Sequence, residues 1–211
     1  MIFNRAMLAR YFILGTQNVT GEHMFYKVLE EALRNGITLF QYREKGFGSL
    51  VDDDKLRVAQ RVRELTSAYH VPFVIDDDID LAHIVHADGV HFGQGDGNIV
   101  TNIAASHGMF VGVSVSNQIE YERISLLSGI DNIGIGPVFE TKSKPDAKPA
   151  IGLIELERLV AQSRWPMVAI GGISQDNLAT VLATDVDGAA VISMISDSPD
   201  IENVLKYWQQ F

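Results

Sequence analysis

Apolar positions along this chain change period repeatedly, from short runs and alternation to a spacing of three and four residues. Residues 9–15 read as a first strand. Phe25, Val28, Leu29 and Leu33 then fall on one stripe, predicting a helix over residues 24–34. A second strand follows over residues 37–45, and Leu56, Ala59, Val62 and Leu65 restore the stripe in a helix over 51–69. Further strands are predicted over 71–75, 89–92, 110–115, 132–139, 167–171 and 189–194. Further helices are predicted over 79–86, 117–128, 153–162, 175–183 and 201–210. Pro72 lies near a strand start, where it costs no central ladder bond, and Pro199 just precedes the last helix, where proline is tolerated. Asn117-Gln118-Ile119-Glu120 has the spacing of a capping box.

About eight strand–helix units in one chain of 211 residues imply right-handed crossovers and a parallel sheet. Eight such units favour a closed barrel, so the expected fold is α/β, a single-domain (β/α)8 TIM barrel over residues 1–211. A doubly wound open sheet is the alternative, but no dinucleotide-binding glycine fingerprint follows the first strand. No linker, low-complexity segment or sequence repeat interrupts the pattern.

The strand ends carry the candidate chemistry. On the second strand, alternation sends Ile37, Leu39, Gln41, Arg43 and Lys45 to one face. That face begins apolar and ends in an amide, a guanidinium and an ammonium. Two fixed cations above an apolar floor suit a polyphosphate or dicarboxylate, although the same residues could mark a strand leaving the core. The other strand ends favour the first reading. They supply Asp76-Asp77-Asp78, Gly93-Gln94-Gly95-Asp96, Ser114 and Ser116, the loop 140–148, Gly171-Gly172 and Ser193. The strand starts instead carry turn chemistry: Asn35-Gly36, Asp88-Gly89 and Asp187-Gly188. Barrel chemistry sits at the C-terminal strand ends, which matches this one-sided polarity.

Asp77 and Asp96 could share a Mg²⁺, which takes few protein ligands and favours phosphate oxygens; Asp77 and Asp78 could instead cap the following helix. Gly171 and Gly172 permit close backbone approach by a phosphate, or plain turn geometry. His83 and His86 read as surface residues, and His91 as a packed or hydrogen-bonded histidine within a strand.

Composition narrows the partners. A net charge of −10, from 27 acidic and 17 basic residues, argues against a nucleic-acid or anionic-membrane surface. With no cysteine, thiolate chemistry and disulfides are excluded. No apolar run approaches the ~20 residues of a membrane span, and the N-terminal run is too short for a signal segment. The expectation is a cytoplasmic protein acting on small-molecule substrates, and a homo-oligomer is compatible with it.

Several blocks, taken together, resemble thiamine-phosphate synthase. They are Gln41-Tyr42-Arg43-Glu44-Lys45, Asp76-Asp77 before Asp80-Leu81-Ala82, and Ala87-Asp88-Gly89-Val90-His91 followed by Gly93-Gln94-Gly95-Asp96. Gly112-Val113-Ser114, Gly136-Pro137-Val138-Phe139, Thr141-Lys142-Ser143-Lys144-Pro145-Asp146-Ala147 and Ala169-Ile170-Gly171-Gly172-Ile173 continue the match to about residue 196. The resemblance implies a TIM barrel that condenses 4-amino-2-methyl-5-pyrimidinylmethyl diphosphate with 4-methyl-5-(2-phosphoethyl)thiazole. The products would be thiamine phosphate and pyrophosphate, through a pyrimidine carbocation that the thiazole nitrogen captures.

Carried over residue by residue, the resemblance implies that Gln41 holds the pyrimidine. Arg43, Lys45, Ser114 and Lys144 would hold the diphosphate and act catalytically. Asp77 and Asp96 would bind Mg²⁺. Thr141, Ser143, Gly171, Gly172, Ile192 and Ser193 would hold the thiazole phosphate, with Tyr42, Glu44, Asp76 and Lys142 completing the substrate-binding set. Two positions depart from the family. Asp76 stands where an asparagine is usual, and Ser116 where many relatives carry histidine. The alternatives are a non-catalytic thiazole-phosphate or thiamine-phosphate binder, and a thiazole tautomerase of the same fold, against which Ser116 counts.

Overall fold

A computed structural model describes residues 2–141, 143 and 148–211. Among them, eight parallel strands close into a barrel in sequence order, with the last pairing the first. The strands are β1 (Arg10–Leu14), β2 (Leu39–Tyr42), β3 (Phe73–Asp76), β4 (Gly89–Phe92), β5 (Phe110–Val115), β6 (Asn132–Ile135), β7 (Met167–Ile170) and β8 (Gly188–Val191). Between them run α1 (Gly21–Arg34), α2 (Asp52–Ala68), α3 (Ile79–Ile84), α4 (Ile99–Ala105), α5 (Gln118–Ser125), α6 (Gly152–Gln162) and α7 (Gln175–Leu182). The short α8 (Ser193–Ser196) and α9 (Ile201–Trp208) follow β8. The (β/α)8 barrel expected from the alternation of periods is the observed fold.

Strand alternation divides the core into two layers. Phe12, Leu14, Phe40, Tyr42, Phe73 and Ile75 point outward and are buried beneath the helices. Tyr11, Ile13, Leu39, Val74, Val168 and Ala190 point inward and fill the barrel. Leu8, on a 3-10 turn at Arg5–Leu8, joins Phe110 in that inner cluster.

A fourfold device recurs at the N-terminal face. Thr38 Oγ1 accepts Arg10 N at 2.8 Å, and Asp88 Oδ2 accepts Phe73 N at 2.9 Å. Asp131 Oδ2 accepts Val111 N at 2.8 Å, and Asp187 Oδ2 accepts Met167 N at 2.7 Å. Each acceptor stands immediately before an even-numbered strand and ties an N–H near the start of the preceding odd strand. The sequence shows no such repeat because Thr and Asp share only an acceptor oxygen.

Several boundaries differ from the sequence expectations. β2 ends at Tyr42 instead of residue 45, and β6 at Ile135 instead of residue 139. Ile37 belongs to the outer layer, not to the row of inward residues. Its N–H reaches Ala32 O at 3.3 Å while Gly36 N reaches Leu33 O, a Schellman end to α1 with Gly36 at φ +92°. The strand therefore begins two residues later. α4 is a helix that the apolar pattern does not predict. Asn98 caps it by accepting from Val100 N and Thr101 N. Its only core-facing residues, Ile99 and Ile103, are partly buried in a helix of seven residues, too short a stripe to stand out in the pattern. Finally, β8 stops at Val191 and Ser193 opens α8, shortening the strand expected over 189–194.

Candidate active site

The C-terminal strand ends surround a cavity of about 330 Å³, floored by Ile13, Val168, Ile170 and Ala190. Gln41, Arg43, Lys45, Asp76, His91, Asp96 and Ser114 form its polar wall. A second cavity, about 560 Å³, adjoins it and shares Lys45, Thr141, Ser143, Gly172, Ile192 and Ser193. The residues expected at the strand ends therefore meet at one mouth, with the exceptions below.

Lys45 is the electrostatic centre. Its ammonium meets Asp77 Oδ2, and lies 2.5 Å from Asp96 Oδ1. Burial lowers the Lys45 pKa, but the two carboxylates outweigh it and hold the ammonium above its ordinary range. Asp77 has φ +54°, and its N–H donates to His91 O at 2.9 Å across the strand end. Asp96 is fixed from its other oxygen, where Oδ2 accepts Gly93 N at 2.7 Å. The alternative role of capping falls to Asp78, whose Oδ1 accepts Leu81 N at 3.0 Å and whose Oδ2 pairs with Lys55. The three consecutive aspartates thus divide their work. Asp76 faces Arg43, Asp77 faces Lys45, and Asp78 starts α3.

Asp76 lies 3.3 Å from the Arg43 Nε, and both side chains are largely buried. Burial pushes the Asp76 carboxyl up to about 7, against the lowering effect of Arg43 and with a further push from Asp77. His91 is buried, and its Nε2 is 2.8 Å from Ser114 Oγ. The glycine at 112 makes room for it, since a Cβ there would sit 2.4 Å from His91 Nδ1. Gly171 (φ +97°) and Gly172 (φ +65°) are likewise compelled. A Cβ would lie 2.4 Å from Pro137 Cβ at the first and 2.5 Å from Glu140 O at the second.

Tyr42, Glu44 and Asp77 do not line either cavity, and Asp77 meets the mouth only through its pairing with Lys45. Alternation turns Tyr42 outward against Phe25, with ring centroids 5.8 Å apart. Glu44 is buried, accepting Thr16 N at 3.0 Å, Thr16 Oγ1 at 2.5 Å and Leu50 N at 2.8 Å. It latches the loops after β1 and β2 together. Lys142 and Lys144 lie outside the described residues. The cavity also gathers Tyr11, His91, Gln94 and Lys148, which sequence reasoning did not assign to the site. Lys148 pairs with Glu120, whose other oxygen accepts Ser116 N at 2.8 Å. Tyr11 and His91 could have been found from strand alternation, which places both on the barrel's interior face. The pairing of Lys148 across 28 residues has no local signal.

Asp77 and Asp96 offer hard carboxylate oxygens within reach of one point, marked by the Lys45 ammonium. That donor set fits Mg²⁺, which keeps most of its shell for water or phosphate oxygens. Among the described residues, no group of three or more His, Cys, Asp or Glu side chains is placed to hold a metal ion. Nor is any helix among them long and apolar enough to cross a membrane.

A closed parallel barrel with a guanidinium, an ammonium and carboxylates gathered at the strand C-termini defines an α/β-barrel enzyme. The family model for thiamine monophosphate synthase matches residues 10–195, and the chain belongs to that family. Membership makes it a transferase of thiamine biosynthesis. The chain is 61% identical over 209 residues to the thiamine-phosphate synthase of Leuconostoc citreum, with 99% of each chain covered. It is 46% identical to that of Pediococcus pentosaceus, covering 93% of this chain and 92% of the relative. The solved thiamine phosphate pyrophosphorylase from Pyrococcus furiosus is similar with a TM-score of 0.86 and 32% identity, covering 98% and 96% of the two chains.

Proposed function

We propose that this protein condenses 4-amino-2-methyl-5-pyrimidinylmethyl diphosphate with 4-methyl-5-(2-phosphoethyl)thiazole, giving thiamine phosphate and pyrophosphate. The observation that carries the reading is the convergence of Arg43, Lys45, Asp77 and Asp96 above an apolar floor, beside Gly171, Gly172 and Ser193. In this reading Gln41 holds the pyrimidine at the floor. Arg43, Lys45 and Ser114 hold the diphosphate, and Thr141, Ser143, Gly171, Gly172, Ile192 and Ser193 hold the thiazole phosphate. Lys142 and Lys144, which lie outside the described residues, would complete this set.

The carbon–oxygen bond to the diphosphate breaks with its electron pair leaving on the phosphate oxygen. The thiazole nitrogen lone pair then forms the new carbon–nitrogen bond. The protein supplies no nucleophile. Its groups act on charge, since fixed cations stabilise the departing diphosphate more than the intact one. Mg²⁺ bound at Asp77 and Asp96 would neutralise part of the same developing charge. The carboxylates now facing Lys45 would then release its ammonium towards the diphosphate. A formal charge of −10 fits small-molecule substrates better than nucleic acid, and the reading places the protein in the cytoplasm.

Pyrophosphate release from the two substrates, with and without Mg²⁺, tests this. Release that needs both substrates and the metal supports it. Tight binding of either ligand without release would make the protein a binder, and overturn the reading.

A further inference from the structure

Gln41 emerges where β2 leaves the apolar floor, only 2% exposed, and its Nε2 donates to the Tyr11 hydroxyl at 2.6 Å. Tyr11 stands on the neighbouring strand, also 2% exposed, and lines the same cavity. A carboxamide has an acceptor at one end and donors at the other. Whichever end the tyrosine takes, the opposite end is left for a ligand. The hydroxyl oxygen accepts from Gln41 Nε2 at 2.6 Å, so the tyrosine takes the donor end of the carboxamide and Oε1 is the end left over. Burial keeps the phenol neutral, well above its ordinary range.

We infer that Tyr11 is a positioning residue, holding the Gln41 carboxamide with Oε1 turned to the ligand, so that the cavity selects a ring bearing an amino donor over one bearing a carbonyl. This rests on the reading that the cavity binds an aminopyrimidine diphosphate. The selectivity then comes from a residue that acts through Gln41. With Oε1 fixed, an incoming amino group completes a hydrogen bond, whereas a ring carbonyl would meet a lone pair. Without Tyr11's hydroxyl the amide can turn over and serve either ligand.

The test is a double-mutant cycle of wild type, Tyr11→Phe, Gln41→Met and the double variant. Each is titrated with the 4-amino pyrimidine diphosphate, its 4-oxo counterpart and the thiazole phosphate, with folding checked by thermal melting. Tyr11→Phe should raise the KM of the amino compound by about fivefold to tenfold and leave that of the thiazole phosphate within about twofold. Its preference for the amino over the oxo compound, read from calorimetric affinities, should fall by about tenfold. In the Gln41→Met background the same change should move the affinity by less than about twofold, because nothing remains to be oriented. A full Tyr11→Phe effect in that background, a parallel rise in both KM values, or an unaltered preference would overturn the proposal. If the wild type releases no pyrophosphate, the functional reading fails instead. The affinities for the two pyrimidine diphosphates still decide the role of Tyr11.

Discussion

Lys45 Nζ lies 2.5 Å from Asp96 Oδ1, and the same ammonium meets Asp77. A cation of the chain itself thus occupies the point that both carboxylates share. Asp96 should therefore matter more to turnover than to stability. It sits in the loop after β4, where its oxygens face Lys45 and the Gly93 N–H.

Asp96→Ala should lower kcat/KM by about a hundredfold or more, the several kcal/mol that a lost metal ligand withdraws from charge stabilisation. The melting temperature should change little, because the loop contributes little core. Near-normal turnover of the variant at limiting Mg²⁺ would show that Asp96 is not a ligand.

The opposite face should behave in the reverse manner. Asp187→Ala removes the acceptor for Met167 N, and also the pairing of Asp187 with the exposed Arg5. Leaving that N–H without its partner should cost about 1–3 kcal/mol in denaturant midpoint analysis. KM for both substrates should stay within about twofold of wild type. Asp131→Ala should do the same through Val111 N, and the two losses should add, since they tie different strand pairs. A large KM change would mean that strain from the N-terminal face reaches the cavity.

The fold was legible because helices carry stripes such as Phe25, Val28 and Leu29, while strands carry short apolar runs. The site was legible in part, for a related reason. Strand alternation selects Gln41, Asp76 and Ser114, and position just past the C-terminal strand ends selects Arg43 and Ser193, without any knowledge of contacts. The same alternation, applied within the strand, also rejects Tyr42, which faces the helices. Glu44 lies beyond the last paired residue of β2, where alternation no longer holds, and only the loop contacts with Thr16 and Leu50 reveal its role. Whether Asp77 or Asp78 caps α3 depends on the positive φ of Asp77, which adjacent identical residues cannot signal.

Glu120 gives the stability an acid dependence of known sign. Burial raises its pKa, but Lys148, the Ser116 N–H and Asn117 outweigh this and hold it below the ordinary carboxylate value of 4.5. A depressed folded pKa stabilises the native state above the unfolded value, and that stabilisation is lost as pH falls through the folded value. The stability gap between wild type and Glu120→Gln should therefore be full near neutrality, narrow as pH falls below the ordinary carboxylate value of 4.5, and close once pH is below the depressed folded value, where both proteins carry a neutral side chain. Chemical unfolding at a series of pH values measures it. A gap that persists unchanged in acid would mean that Glu120 contributes by packing instead of charge.

Asp76 stands where the resemblance leads one to expect an asparagine. Its carboxylate lies 3.3 Å from Arg43 Nε and so engages a cation that the proposed reaction needs for the diphosphate. It also adds negative charge beside Asp77 and Asp96, whose charges already act on it. Asp76→Asn keeps the shape, removes the negative charge of the ionised carboxylate, a form that burial already disfavours near neutrality, and adds two N–H donors. Arg43 is then less committed to a neighbour, and the incoming diphosphate meets one repulsion fewer. The variant should lower the KM of the pyrimidine diphosphate by about fivefold, corresponding to about 1 kcal/mol for one charged hydrogen bond. It should also reach half-maximal rate at a lower Mg²⁺ concentration, because less of the metal's charge is spent on cancelling the aspartate. Steady-state titrations of both proteins across Mg²⁺ concentrations measure the two effects together. Unchanged or weaker kinetics in Asp76→Asn would give the carboxylate a positive role, most simply as an additional metal ligand beside Asp77.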